Sequence, residues 1–419
     1  QGPLPVKIRY RAGKREGGRT QIEVDLTRST IDGLLPGLQK PAGRAGKLSF
    51  ETVEKTGGGY TIQNIALDTG PAQVRGQAEA TADGTVSSAR FSLFRLSPGD
   101  NVKLDFDRTG SGAKVTIRGN NLDARPFLRS ANATDGGRKD GDLELDVRTT
   151  LLSGHGGEVL TNAEARIALR GSQMRQLAVS GRLNGKPVTL SGRGNGENPL
   201  PVSIESADAG ALLRYFDLYS RMMGGSVSGQ INVTPRRSTG FIIAKDFALR
   251  NEPAIRRLVA EAQTDGTRRG PVDTEFSKMR IDFTRDGTEI AVRDAVIFGA
   301  QLGLTFNGMV DPTRDRISLS GTYVPAYGLN NAFAQIPIVG NILAGGRNEG
   351  LLAVTFGVSG KASQPTVNVN PLSAVAPGIF REMFQMTNPT TTVQPRAPSS
   401  GDLPVNTRVR SSSSGGAYE

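Results

Sequence analysis

The sequence predicts a mainly β fold, a long antiparallel meander with a few short helices in its C-terminal half. Three observations predict it. Apolar and polar residues alternate with a period of two along much of the 419-residue chain. Short glycine- and asparagine-centred turn signals separate the alternating runs. Helical periodicity occurs only after residue 205. Successive strand side chains point to opposite faces, so alternation of this kind marks strands buried on one side and wet on the other.

The strands come first. Ala72-Gln73-Val74-Arg75-Gly76-Gln77-Ala78-Glu79-Ala80 is small or apolar on one face and polar on the other. Val102, Leu104 and Phe106 alternate with Lys103, Asp105 and Asp107, and Leu143, Leu145 and Val147 with Glu144, Asp146 and Arg148. The pattern returns at Leu302, Leu304 and Phe306, and at Ile317, Leu319, Gly321 and Tyr323. Turns are read at Thr56-Gly57-Gly58-Gly59, Thr109-Gly110-Ser111-Gly112, Asn184-Gly185 and Asp286-Gly287. The last of these is expected to close a hairpin through a type I′ turn. No strict repeat shows, which argues against a propeller or a leucine-rich solenoid.

Four helices are expected. The first runs from about Asp208 to Met223, with Leu212, Phe216, Tyr219 and Met223 on one face, Asp217 and Arg221 paired on the other, and Gly224-Gly225 as its stop. The second follows Asn251-Glu252-Pro253 and carries Ile255, Leu258, Val259 and Ala262. The third, near 331–343, is apolar nearly all round and broken by Pro337. The fourth starts near Pro377 with Ile379, Phe380, Met383 and Phe384. Beyond it the composition turns to Thr, Pro, Ser and Gly, a tail expected to be disordered. The domain reading is 1–200 for a strand-only segment, 201–386 for a helix-bearing region and 387–419 for the tail.

Composition narrows the function. Hydrophobic residues make up 37%, and the 53 glycines bring the share to about half, enough for a sizeable core. Aromatics are 5% with no tryptophan, so the buried side chains are mostly aliphatic. The absence of cysteine removes disulfides, thiolate metal sites and cysteine nucleophiles. The single histidine, His155, sits in Leu-Leu-Ser-Gly-His-Gly-Gly and is read as an exposed loop residue. Glycine-rich stretches at 192–196 and 345–347 precede no phosphate-binding lysine and read as turns. No Gly-x-Ser-x-Gly elbow occurs. The chain is therefore expected to be no enzyme, with no catalytic residues, no cofactor and no metal.

A net charge of +11 raises nucleic acid or an anionic membrane surface as partners. The charges are spread along the chain, and aromatic stacking platforms do not accompany them. A membrane surface is the expected partner, and nucleic acid is not. No apolar run reaches the length of a membrane-spanning helix. The chain opens on Gln1 without a signal peptide, which reads as a fragment whose membrane anchor lies upstream.

The stretch Ile336-Pro337-Ile338-Val339-Gly340-Asn341-Ile342-Leu343, Glu349-Gly350-Leu351-Leu352-Ala353, Val358-Ser359-Gly360, Gln364-Pro365-Thr366-Val367, Asn370-Pro371-Leu372-Ser373 and Ala376-Pro377-Gly378-Ile379-Phe380 carries a resemblance. So do Ser206 to Leu213 with Gly224-Gly225, and Asp246-Phe247 leading to Pro253-Ala254-Ile255. Residues of about 200–386 resemble the C-terminal region of the AsmA-like superfamily, bridge-like lipid-transfer proteins of the Gram-negative envelope. The resemblance implies an elongated, curled β-sheet with an apolar groove. It also implies an inner-membrane-anchored protein of the periplasm that moves phospholipid towards the outer membrane. On that reading, Ile281, Phe283, Leu302, Leu304, Phe306, Leu319, Val354 and Phe356 contact phospholipid acyl chains. Two other readings stand beside it: a structural scaffold whose apolar face is only a core, and a module that recruits envelope proteins through a sheet edge.

Overall fold

A computed structural model describes residues 2–12, 18–110, 112–132, 141–171, 173–194, 199–234, 237–262, 273–300, 302–325 and 354–370. The chain divides into Gln1–Val375 and Ala376–Glu419, and all described residues belong to the first unit. That unit is a single sheet. Its strands are β1 (Val6–Arg11), β2 (Arg19–Asp25), β3 (Lys47–Glu54), β4 (Tyr60–Asp68), β5 (Gln73–Ala80), β6 (Val86–Arg95), β7 (Asn101–Thr109) and β8 (Gly112–Asp123). Helix α1 (Arg125–Asn132) follows, then β9 (Leu143–Ser153), β10 (Val159–Arg170), β11 (Gln173–Leu183), β12 (Lys186–Arg193) and β13 (Leu200–Ser206). Next come α2 (Ala209–Tyr215), β14 (Met222–Val233), β15 (Arg237–Arg250) and α3 (Pro253–Ala262). The series closes with β16 (Asp273–Asp286), β17 (Glu289–Phe298), β18 (Leu302–Asp311), β19 (Arg316–Pro325), β20 (Val354–Lys361) and β21 (Gln364–Asn370).

Each strand pairs with the next in sequence, so the 21 strands form one ribbon-like order from β1 to β21. Every junction is antiparallel except β8–β9, which is parallel. The predicted mainly β meander is what the chain forms. The sheet is neither strongly curled nor closed, which differs from the tighter curl implied by the resemblance.

The parallel junction accounts for one departure from the sequence reading. Helices were expected only after residue 205, yet α1 stands before β9. Parallel neighbours cannot be joined by a tight hairpin, so the chain must return across the sheet, and α1 lies in that return. Asp123 anchors its start, accepting from the Arg125 backbone N–H at 3.0 Å and from its guanidinium at 2.8 and 2.7 Å. Pro126 occupies the first turn, where a missing N–H costs nothing. Eight residues hold too few turns for helical periodicity to stand out.

The second departure concerns α2. It starts as expected, with the Asp208 carboxylate accepting the Ala211 N–H at 3.0 Å. It ends at Tyr215, well short of Met223. The Leu218 N–H bonds to the Leu213 carbonyl at 2.8 Å and the Asp217 N–H to that of Arg214 at 3.0 Å, a Schellman closure. Asp217 holds the left-handed position, φ 57°, that glycine usually fills. Arg221 is thereby freed from the expected partner and pairs with Glu252 at 3.4 Å. Gly224-Gly225 lies within β14, where a Cβ on Gly225 would stand 2.6 Å from that of Phe247. Helix α3 forms where expected. The third and fourth expected helices and the tail lie outside the described residues.

Turn chemistry follows the same logic. Leu183 pairs with Lys186, and Asn184 and Gly185 have φ 51° and 77°, the type I′ pattern. Asp286 pairs with Glu289, so the other loop is Gly287-Thr288. Only Gly287 has positive φ, at 56°, which makes this a type II′ arrangement in place of the expected type I′. Among the register shifts, three fall at a left-handed Asn or Asp that is the extra residue of its strand: near Asn64 in β4, Asn162 in β10 and Asp294 in β17, with φ 52°, 50° and 46°. These are bulges built on Asn or Asp, and each reverses the in–out phase of the strand it interrupts.

Candidate apolar groove

One face of the sheet gathers the aliphatic side chains into two packed clusters. The first includes Val74, Phe94, Val102, Ile117, Val147 and Leu183. Leu38 from the β2–β3 connection, Phe127 and Leu128 of α1, and Leu212 and Tyr215 of α2 lie over it. The second includes Phe247, Phe276, Ile297, Leu302, Leu304 and Phe356, together with Ile255 and Leu258 of α3. Helix α2 belongs to both, since its Ala209 joins the second.

Apart from Val354, which the register pairs with Tyr323, the nominated residues lie on this face. Reading across from β16, Met279 pairs with Ile297, Ile297 with Leu304, Leu304 with Tyr323 and Tyr323 with Val354. The next row runs Ala295, Phe306, Gly321 and Phe356, and the next Phe283, Val292, Gly308 and Leu319. Ile281 and Phe283 share the parity of Met279 on β16. Glycine sets the fit: a Cβ on Gly321 would stand 2.8 Å from the Phe306 Cβ and 2.9 Å from the Phe356 ring. The two phenylalanines therefore flank a position only glycine can occupy without a shift.

Burial divides the eight. Leu302 is 2% exposed, Leu304 7% and Phe356 8%, all within the second cluster. Phe306 and Leu319 are half-buried beside it, and Ile281 and Phe283 are half-buried outside it. Val354 opens β20 opposite Tyr323. Helix α3 reaches from the β15–β16 connection to β20 and β21, where Arg257 donates to the Pro365 carbonyl at 2.9 Å. A concavity of about 1010 Å³ lies elsewhere, at the N-terminal end of the sheet between the ends of β1, β2 and β3.

The opposite face is polar and laced with ion pairs. Arg90 meets Asp107 at 2.6 Å, Arg118 meets Asp146 at 2.8 Å and Lys47 meets Glu23 at 3.2 Å. The Arg280 guanidinium bonds Asp282 at 2.8 Å and sits 4.6 Å above the Phe241 ring. Exposed pairs of this kind contribute at most about 1 kcal/mol each, so they keep this face wet and in register more than they stabilise it.

His155 is not the exposed loop residue expected of it. It is buried beneath α2, its backbone N–H donating to the Tyr215 carbonyl at 3.0 Å and its Nδ1 lying 4.0 Å from Asp217 Oδ2. The Tyr215 ring covers Gly154 so closely that a Cβ there would come within 2.3 Å of it. Beside it Glu158 accepts from the Arg214 Nε at 2.7 Å, and Arg214 also donates to the Met222 carbonyl at 2.8 Å. Burial, with the nearby Asp123 charge, pushes the Tyr215 phenol up. Burial does the same to Tyr219, whose hydroxyl donates to Glu252 at 2.5 Å. The contacts of His155, Tyr215, Glu158 and Arg214 clamp α2 to the sheet. Neither this clamp nor Leu38 over the first cluster was read from sequence; the Leu34-Leu35…Leu38 run inside a proline- and glycine-rich loop was the available signal.

Among the described residues no cluster of His, Cys, Asp and Glu could hold a metal ion, and no helix is long and apolar enough to cross a membrane. Comparison with family models, curated proteins and solved structures finds no match.

Proposed function

We propose that this chain is a non-catalytic envelope protein whose apolar sheet face forms the C-terminal part of a groove for phospholipid acyl chains in transit between inner and outer membrane. One observation supports the reading: a 21-stranded sheet whose apolar face carries two packed clusters and, among the described residues, three short helices, with half-buried apolar side chains beside them. The half-buried Ile281, Phe283, Phe306 and Leu319 supply its wettable wall. Each acyl methylene buried is worth about 0.8 kcal/mol without directional contacts, which suits a surface along which lipids slide. The bulges, which bend strands, and the reach of α3 to β21 support local curvature of the sheet about this face. The resemblance to AsmA-like proteins points the same way, and on it the chain would work in the periplasm on an inner-membrane anchor.

The burial of Leu302, Leu304 and Phe356 favours a second reading, a structural scaffold with an ordinary core. Phe306→Asp separates the two. On the groove reading the variant stays folded, because its half-exposed carboxylate keeps water, and mass spectrometry of organic extracts shows phospholipid in the wild type and its loss in the variant. Lipid-free wild-type protein, or an unfolded variant, favours the scaffold. Leu304→Asp is the positive control for unfolding, since its site is closed.

A further inference from the structure

A short sequence recurs at the ends of two distant strands. Leu104-Asp105-Phe106-Asp107-Arg108-Thr109-Gly110 spans the end of β7 and its turn, and Ile281-Asp282-Phe283-Thr284-Arg285-Asp286-Gly287 spans the end of β16 and its turn. In each, an aliphatic residue, a phenylalanine and an arginine occupy alternate positions, so the three share a face. Leu104 packs against the first cluster, and Phe106 pairs with Ala89 and Val115. Ile281 pairs with Ile242, and Phe283 with Gly240 and Val292. From the two phenylalanines the register runs on without a shift, to Arg108 opposite Ala113 and to Arg285 opposite Ser238 and Ile290. Both arginines therefore stand on the apolar face, at its border.

That border is the same one for both. Of the nine junctions from β7 to β16, β8–β9 alone is parallel, so the chain reverses eight times and the two strands run in the same direction. Their ends lie on one rim of the sheet.

The two guanidiniums are engaged differently from those of the polar face, where Arg90 meets Asp107 and Arg280 meets Asp282. Among the described residues, Arg108 and Arg285 form no ion pair with a carboxylate. Each donates its Nε N–H to a carbonyl, that of Val86 at 3.1 Å and that of Gly287 at 2.9 Å. Such a bond fixes the guanidinium plane and leaves the N–H groups of both Nη atoms, paired donors that match two oxygens of a phosphate. Both side chains are exposed, whereas the phenylalanine and aliphatic residue behind each are half-buried. Four strand residues span about 13 Å, so the aliphatic residue lies well inside the face while the cation stays in water. This order of polarity is that of a phospholipid laid along the strand with its head at the rim.

We propose that Arg108 and Arg285 are headgroup stations on this rim, each binding the anionic phosphoryl group of a phospholipid whose acyl chain lies over the phenylalanine and aliphatic residue of the same strand. The proposal rests on the groove reading, and adds to it a headgroup class and the side of the sheet from which headgroups project.

The test incubates the full chain with vesicles holding equal amounts of phosphatidylglycerol and diacylglycerol of matched acyl length, then separates and extracts the protein. Mass spectrometry gives the ratio of the two lipids carried. The wild type is expected to carry phosphatidylglycerol in excess, and the excess to shrink as salt rises. The double variant Arg108→Gln/Arg285→Gln should lower the ratio about tenfold. Arg108→Lys/Arg285→Lys keeps the charge and loses the fork, so its ratio should fall between the two. A ratio unmoved by the glutamine variant overturns the proposal and leaves the groove reading standing, even where the unfolding midpoint drops, since that drop is what fastening the hairpins alone would give. Should the glutamine variant fail to fold, an unchanged ratio in the lysine variant overturns the proposal. A wild type that carries neither lipid overturns both readings. Inorganic phosphate that displaces phosphatidylglycerol at equal concentration overturns the proposal in favour of a soluble anion.

Discussion

Lys40 shows how a single residue organises a connection that hydropathy cannot. It is 1% exposed, and its ammonium donates to the carbonyls of Ser29 at 2.8 Å, Pro41 at 3.2 Å and Thr27 at 3.3 Å. Its stem passes so close to Gly46 that a Cβ there would lie 2.6 Å from Cε. A buried charge normally demands a carboxylate; here three carbonyl dipoles from one loop take that part. Lys40→Met keeps the stem and strips the donor, leaving those carbonyls unanswered. It should destabilise the chain by about 2–3 kcal/mol, measured by denaturant titration, and should raise exchange in residues 26–46 first. An unchanged midpoint would show that water replaces the ammonium. No sequence pattern separates this lysine from the others, because its role depends on where carbonyls converge. His155 escaped for the same reason: a glycine-flanked histidine reads as a loop until Tyr215 is laid over Gly154.

At the scale of elements, strands were the legible part and helix ends the illegible one. Alternation marked β5, β7, β18 and β19, since each keeps a single phase against one buried face, and β9 from Leu143 to Thr149, after which Leu152 takes the inward place. It blurs in β17, where Asp294 flips the phase and Val292 gives way to Ala295 as the inward residue. The α2 stop was misread because Asp217 does what Gly224 was expected to do. Of the eight candidate groove residues, sequence could place all on one face by parity, but it could not tell Leu304 from Phe306, since burial depends on what α3 covers. Helix α3 invites a direct test. Leu258, 3% exposed, is seated in the second cluster. Leu258→Ala should cost about 2–4 kcal/mol and release the helix, so amide exchange should rise in β20 and β21 before it rises in β12 and β13. Uniform loss of protection would mean that α3 is not an independent clasp.

For the molecule as a whole, each strand touches its two neighbours and little else, which makes the sheet a quasi-one-dimensional array of nearest-neighbour contacts. Cooperativity in such arrays fades with length. Denaturant unfolding of the chain is therefore expected to be broad, with different midpoints for probes placed near β3 and near β18. A single coincident transition would instead require long-range coupling, for which α2, shared by both clusters, is the available bridge. The meander itself was readable because its contacts are local in sequence. The parallel junction was not, because nothing in two alternating strands records the direction of travel between them.

That junction has a geometric consequence. In a strict meander, connections alternate between the two rims of the sheet, so those that follow even-numbered strands share one rim and those that follow odd-numbered strands share the other. Entering β9 in the direction of β8 exchanges the two sets from there on. The long β2–β3 connection and α1 follow even strands before the exchange, whereas α2 and α3 follow odd strands after it. All four consequently leave from the same rim, and contacts along it join Gly37 to Pro126, Asp100 to Asp123, and Glu158 to Arg214. Among the described residues the opposite rim carries short turns, Gly287-Thr288 among them. One parallel step thus gives the sheet a thick border and a thin one. Anything that enters or leaves the apolar face sideways meets helices along the first and bare turns along the second.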